Sequence, residues 1–105
     1  MLTKFDEIPA SERVIVALDC SADEAIALAD KLAGKASWVK IGMTLYYAEG
    51  PAIVALFKRR GFKVFLDLKF HDIPHQVEGA ARSAAASGAD MITMHTVGGV
   101  AMMQA

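Results

Sequence analysis

The chain has 105 residues, 54% of them hydrophobic, and a formal net charge of −1. That is enough for one small domain with a modest core, and the apolar fraction excludes a disordered segment. Near-neutral charge, with no Lys/Arg run longer than three, gives no footprint for nucleic-acid binding.

The opening M-L-T-K-F-D-E-I-P lacks the apolar core of a signal peptide, and no apolar run reaches bilayer length. The single cysteine, Cys20, excludes an internal disulfide and fits a reducing compartment, so a cytoplasmic protein is expected. Cys20 itself reads as a small packing residue. After a polar lead-in, residues 13–19 (R-V-I-V-A-L-D) form a β-branched run typical of a strand buried on both faces. Ser21 with Glu24 makes a capping box, and Ala25, Ile26, Ala29, Leu32 and Ala33 come after it at helical spacing up to a stop at Gly34. Residues 38–41 read as a second strand, and Gly50-Pro51 punctuates the next segment. Ile53, Val54, Leu56 and Phe57 line one helix face, ending in Lys58, Arg59 and Arg60 and closed by Gly61. A central strand starts at Val64. A helix runs from about residue 73 to 87, closed by Gly88, and residues 91–95 (M-I-T-M-H) form a fourth strand. Gly98-Gly99 opens a last helix. Met91, Met94, Met102 and Met103 read as core or interface filler.

The helix-closing glycines recur every 27 residues, and a strand begins within a few positions of each. Such β-α alternation predicts a parallel sheet with right-handed crossovers. Polar residues stand near the C-terminal end of every strand: Asp19, Lys40, Asp67 with Lys69, and His95. A (β/α)8 barrel gathers chemistry at that face from many strands, whereas a doubly wound sheet concentrates it at one switch point. The expected fold is therefore α/β, the first four βα units of a (β/α)8 TIM barrel, with residues 1–105 as a single partial domain. A whole barrel takes roughly 250 residues, so a longer protein is expected; a self-associating half-barrel is the alternative. A lone half leaves two strand edges and one sheet face uncovered.

The stretch 64–74 (V-F-L-D-L-K-F-H-D-I-P) carries the chemistry. Side chains alternate along a strand, so Asp67 and Lys69 are expected on one side. Asp72 and Pro74 fall where strand gives way to helix. Charges at a buried strand end are costly unless they pair or do chemistry. Plainer readings exist: a structural Asp67–Lys69 ion pair, Asp72 as a helix N-cap, Lys40 as a solvated strand-end lysine, Asp19 as a turn residue, and His71 and His95 as structural histidines. No Cys/His cluster has metal spacing, and no glycine-rich phosphate loop occurs.

D-L-K-F-H-D-I-P at 67–74 resembles the signature of the orotidine 5′-phosphate decarboxylase family, as do V-A-L-D at 16–19, V-K-I-G at 39–42 and G-A-D-M-I-T-M-H at 88–95. The resemblance implies decarboxylation of orotidine 5′-phosphate to UMP in pyrimidine biosynthesis, with neither cofactor nor metal. It implies Lys69 as the proton donor to C6, Asp67 beside the substrate carboxylate, Lys40 keeping Asp67 ionised and contacting the ribose, and Asp19 on a ribose hydroxyl. Asp72 and Ile73 would enter the neighbouring subunit's site, which implies a homodimer with shared active sites. Gln76 stands where the family usually has a ribose-contacting threonine. Glutamine still donates a hydrogen bond, from a longer side chain. Asp-x-Lys-x-x-Asp is shared with the magnesium-dependent 3-keto-L-gulonate-6-phosphate decarboxylases and hexulose-phosphate synthases, which place a metal-binding acid where Lys40 stands. Lysine cannot serve a cation that wants oxygen ligands. A non-catalytic half-barrel module is the third reading, because the family's phosphate-gripping glutamine and arginine belong to later strands. The 105 residues alone are expected to have little or no activity.

Overall fold

The computed structural model describes residues 7–105, so the first half of the polar lead-in lies outside the described residues. A short 3-10 turn, Ala10–Glu12, leads into strand β1 (Ile15–Ala17). Then come α1 (Ala22–Leu32), β2 (Trp38–Gly42), α2 (Met43–Glu49), α3 (Pro51–Arg59), β3 (Lys63–Asp67), α4 (Pro74–Ala86), β4 (Met91–Ile92) and α5 (Val100–Gln104). Among the described residues no helix is long and apolar enough to cross a membrane.

The four strands form one parallel sheet in the order β1-β2-β3-β4, each beside its neighbour in sequence. Val16, Val39 and Val64 share one register row, and Ile41, Leu66 and Ile92 another. These rows face the helices and merge with Ala25 and Ala29 of α1, Val54 and Phe57 of α3 and Ala84 of α4 into one core. The alternate row, Ala17, Lys40, Phe65 and Met91, lies on the face without helices. The molecule is therefore a slab, 40 × 37 × 20 Å, one sheet and one helical layer thick.

The two-sided burial expected of the first strand is corrected here: Ile15 is 41% exposed and Ala17 is exposed. Among the described residues no helix covers their side of the sheet, and only three residues, not seven, hold the ladder. Met91 and Met94 are likewise exposed rather than core, whereas Met102 is buried and Met103 partly so. Helix α2 is an addition to the elements expected.

Each crossover helix ends as its sequence dictates. The Glu24 N–H donates to Ser21 Oγ at 3.3 Å, capping α1. Gly34, Gly61 and Gly88 all take positive φ (78°, 90° and 99°), a region that costs a side-chain-bearing residue about 1–2 kcal/mol. After α3 the Gly61 N–H bonds the Lys58 carbonyl and the Phe62 N–H bonds the Phe57 carbonyl, the paired bonds of a Schellman stop. The accompanying apolar contact is Phe57 against Phe62, edge to face at 5.8 Å.

The bottom of the sheet is braced by Asp90. Its N–H donates to the Val64 carbonyl (2.9 Å) and its carboxylate accepts from the Val64 N–H (2.8 Å), while Lys58 of α3 reaches both oxygens at 2.9 and 2.8 Å. Burial pushes this carboxyl up, but the Lys58 ammonium and the Val64 N–H outweigh it and leave Asp90 below the usual carboxylate range.

Candidate active site

Asp67 ends β3 with its side chain buried, 6% of the residue remaining exposed. Its Oδ2 accepts a 2.7 Å hydrogen bond from the Lys69 ammonium and lies 3.6 Å from Lys40 Nζ. Oδ1 is buried too and has no hydrogen-bond partner among the described residues. The Lys69 bond is the main reason the Asp67 carboxyl sits below its ordinary value; burial opposes it, and the Thr93 hydroxyl and the two ammonium charges add to it. A buried, ionised carboxylate is thus held between two cations.

Asp67 and Lys69 meet as expected, but not by the pleat of a strand. The β3 ladder stops at Asp67, and Lys69 takes φ 54°, the left-handed region that residues other than glycine seldom enter. The turn brings its side chain back over Asp67 while Leu68 stays in the core. Such strained positions cluster at functional sites.

Lys40 arrives from β2, where its register partner is Phe65, and its side chain is 27% exposed. Gly42, at the end of β2, pairs with Asp67. A β-carbon on Gly42 would stand in ordinary contact with Asp19 Oδ1, at 3.4 Å, which places the exposed Asp19 beside the end of β2. Asp19, Lys40, Asp67 and Lys69 therefore gather at the C-terminal edge of the sheet.

Asp72, Ile73 and Gln76 lie on the far side of the Lys69 turn. Pro74 takes the first helical position of α4 and forces Ile73 extended (ψ 151°), so Ile73 rather than Asp72 is the N-cap residue. Asp72 Oδ1 instead accepts from the adjacent Ile73 N–H at 2.7 Å, which removes the plain capping role. Lys69, His71, Asp72 and Gln76 share an open groove of about 230 Å³ with Tyr47 of α2. Ile73 and Tyr47, 63% and 71% exposed, leave an apolar margin beside it.

Two contacts here escaped the sequence. The Lys69 N–H donates to Thr93 Oγ1 at 3.1 Å, and the rings of His71 and His95 approach to 5.6 Å. Only a threonine one strand over marked the first, and nothing in its spacing distinguished it from a strand-filling residue. Among the described residues no cluster of three or more His, Cys, Asp or Glu is placed to hold a metal ion.

The sequence model of the orotidine 5′-phosphate decarboxylase / HUMPS family matches residues 12–105. An orotidine 5′-phosphate decarboxylase of Maridesulfovibrio salexigens is 54% identical over 90 residues, covering 85% of this chain and 39% of the relative. One from Alkalilimnicola ehrlichii is 55% identical over 94 residues, covering 89% and 40%. The crystal structure of orotidine 5′-phosphate decarboxylase from Lactobacillus acidophilus superposes with a TM-score of 0.79 at 37% identity, covering 87% of this chain and 42% of that one. The chain spans about 40% of the length of the curated relatives it matches. The four βα units correspond to the first four of a (β/α)8 barrel. In sequence and in fold alike, the chain belongs to the orotidine 5′-phosphate decarboxylase / HUMPS family.

Proposed function

We propose that these residues are the N-terminal half of a barrel that decarboxylates orotidine 5′-phosphate to UMP, using protein charge alone. The observation that carries this reading is the Lys40–Asp67–Lys69 array, one buried carboxylate between two ammonium groups at the C-terminal strand ends. As CO₂ leaves, the C6–carboxylate bond breaks and its electron pair stays on C6. Lys69 then delivers an Nζ proton to form the C6–H bond. Its positive charge is in place before the carbanion forms, so no reorganisation is needed during reaction. Asp67 lies against the departing carboxylate and fixes the Lys69 ammonium. Lys40 keeps Asp67 ionised and reaches the ribose, and Asp19 accepts from a ribose hydroxyl.

Asp72 and Ile73 serve a second subunit's site in a homodimer; the exposed margin of Ile73 and Tyr47 supports this. Gln76 replaces the ribose contact from the same helix start. Lys40, an ammonium within 3.6 Å of Asp67, occupies ground that the magnesium-dependent branch reserves for a metal-binding acid. The free Cys20 suits a cytoplasmic enzyme. Remote phosphate binding lowers the barrier at a distant reacting centre, and the later strands that supply it in the family are not among these four units. The 105 residues alone are therefore expected to turn over little substrate.

The test is loss of orotidine 5′-phosphate absorbance in EDTA, comparing a full-length protein containing these residues, its Lys69→Ala variant and this chain. Turnover by the long form, lost on substitution, supports the reading. A requirement for Mg²⁺ and a sugar phosphate would transfer the protein to the metal-dependent branch.

A further inference from the structure

Between β3 and β4 the ladder is two pairs long and ends at Leu66 and Ile92. Phe65 pairs with Met91 and Leu66 with Ile92. At that offset Lys69 would stand beside His95, yet its N–H bonds Thr93, two residues earlier, and His71 is the residue that meets His95. Past the ladder the β3 exit turns, and in that turn Lys69 takes its left-handed φ of 54°. The strained turn persists only if something outside it holds the chain, since residues other than glycine avoid that region. Thr93 is placed to do so. Its hydroxyl accepts the Lys69 N–H at the strained residue itself.

We infer that Thr93 is a positioning residue, whose hydroxyl fixes the Lys69 turn and so aims the Lys69 ammonium at Asp67; the catalytic side of this inference rests on the decarboxylase reading. The His71–His95 contact closes the same loop two residues further on. The Lys69 ammonium is in turn the main reason the Asp67 carboxyl lies low, so what fixes the Lys69 turn bears on Asp67 as well. One side chain therefore acts on both partners, on the backbone of the first and through it on the second. A threonine that merely filled a strand position would do neither.

Valine keeps the shape of threonine and removes the hydroxyl; serine keeps the hydroxyl. In this chain, Thr93→Val should speed hydrogen exchange at the Lys69 amide about tenfold, the scale of one lost hydrogen bond. The Asp67 carboxyl, followed by ¹³C NMR, should titrate at higher pH than in the parent. Thr93→Ser should restore both. If Thr93→Val gives no dispersed spectrum, Thr93→Ala is measured in the same way. Unchanged Lys69 exchange and unchanged Asp67 titration in the hydroxyl-free variant would overturn the inference. In the full-length protein, kcat for orotidine 5′-phosphate should fall about tenfold or more with KM nearly constant, as misplacing a reacting group does. Absence of turnover in the parent would remove the decarboxylase reading, while the amide and carboxyl measurements would still judge Thr93.

Discussion

Lys69 donates a 2.7 Å hydrogen bond to Asp67 from a backbone position outside the sheet, at a φ that ordinary residues avoid. The pair is held by the turn, whose Lys69 N–H donates to Thr93, the residue just past β4. Replacing Lys69 with methionine leaves a buried carboxylate with Lys40 as its remaining cation. Because the Lys69 bond is the largest influence on Asp67, its carboxyl should titrate closer to the ordinary value of about 3.9. Full-length turnover should drop at least about a hundredfold, the scale for losing a preorganised charge. The ¹³C titration of Asp67 and steady-state kinetics check the two halves separately.

Lys40→Met should behave differently. Its distance to Asp67 is 3.6 Å, and its charge is the smallest of the influences on that carboxyl. Stability should change by less than about 1 kcal/mol, as for a partly solvated ion pair. Turnover should nevertheless fall if Lys40 touches substrate. Denaturant midpoints and kinetics on the same preparations separate the effects.

Asp90 gives the fold an acid limit. Its folded pKa lies below the ordinary carboxylate value, so its ionised form stabilises the fold above the unfolded pKa, and that contribution is lost as pH falls through the folded pKa. Asp90→Ala should lower stability at pH 7 by about 1–3 kcal/mol through the unpaired Val64 N–H and Lys58. The gap to the parent should narrow below about pH 4, where the parent carboxyl also takes up its proton. Thermal unfolding of both proteins at neutral and acid pH shows whether it does.

Two glycines should respond to alanine for different reasons. At Gly61 a new β-carbon meets nothing within 4 Å, so the cost is the left-handed backbone alone, about 1 kcal/mol. At Gly98 the β-carbon would run into Sδ and Cε of the buried Met102. The methionine must move, so Gly98→Ala should loosen α5 against α4 while barely changing the sheet. Amide exchange in α5, compared with β2 and β3, distinguishes this from a global loss.

Much of the fold was legible because it is written in local chemistry. The 27-residue glycine period marks three helix stops that all prove left-handed, and Ser21 caps α1 as its spacing requires. Helix α2 was not legible: seven residues leave little room for a period, and Leu45 is its one buried residue. The outer strands were overestimated because their lengths are set by partners. Thr93, Met94 and His95 read as strand, yet the ladder with β3 ends at Ile92. At the site, the residue types were legible from the motif. The left-handed Lys69 was not, since no local signal asks a lysine to adopt it, and the contact its N–H makes is to Thr93, 24 residues on.

Because strand order matches sequence order, each of the three pairings among these strands joins segments roughly 25 residues apart. The entropy of closing each loop is therefore nearly the same at every step, and each helix carries its own stop. Such a chain can be laid down one unit at a time as it leaves the ribosome, β2 meeting β1 before β3 emerges. The reactive turn is the exception. Lys69 is synthesised well before Thr93, so the site sets only when β4 arrives.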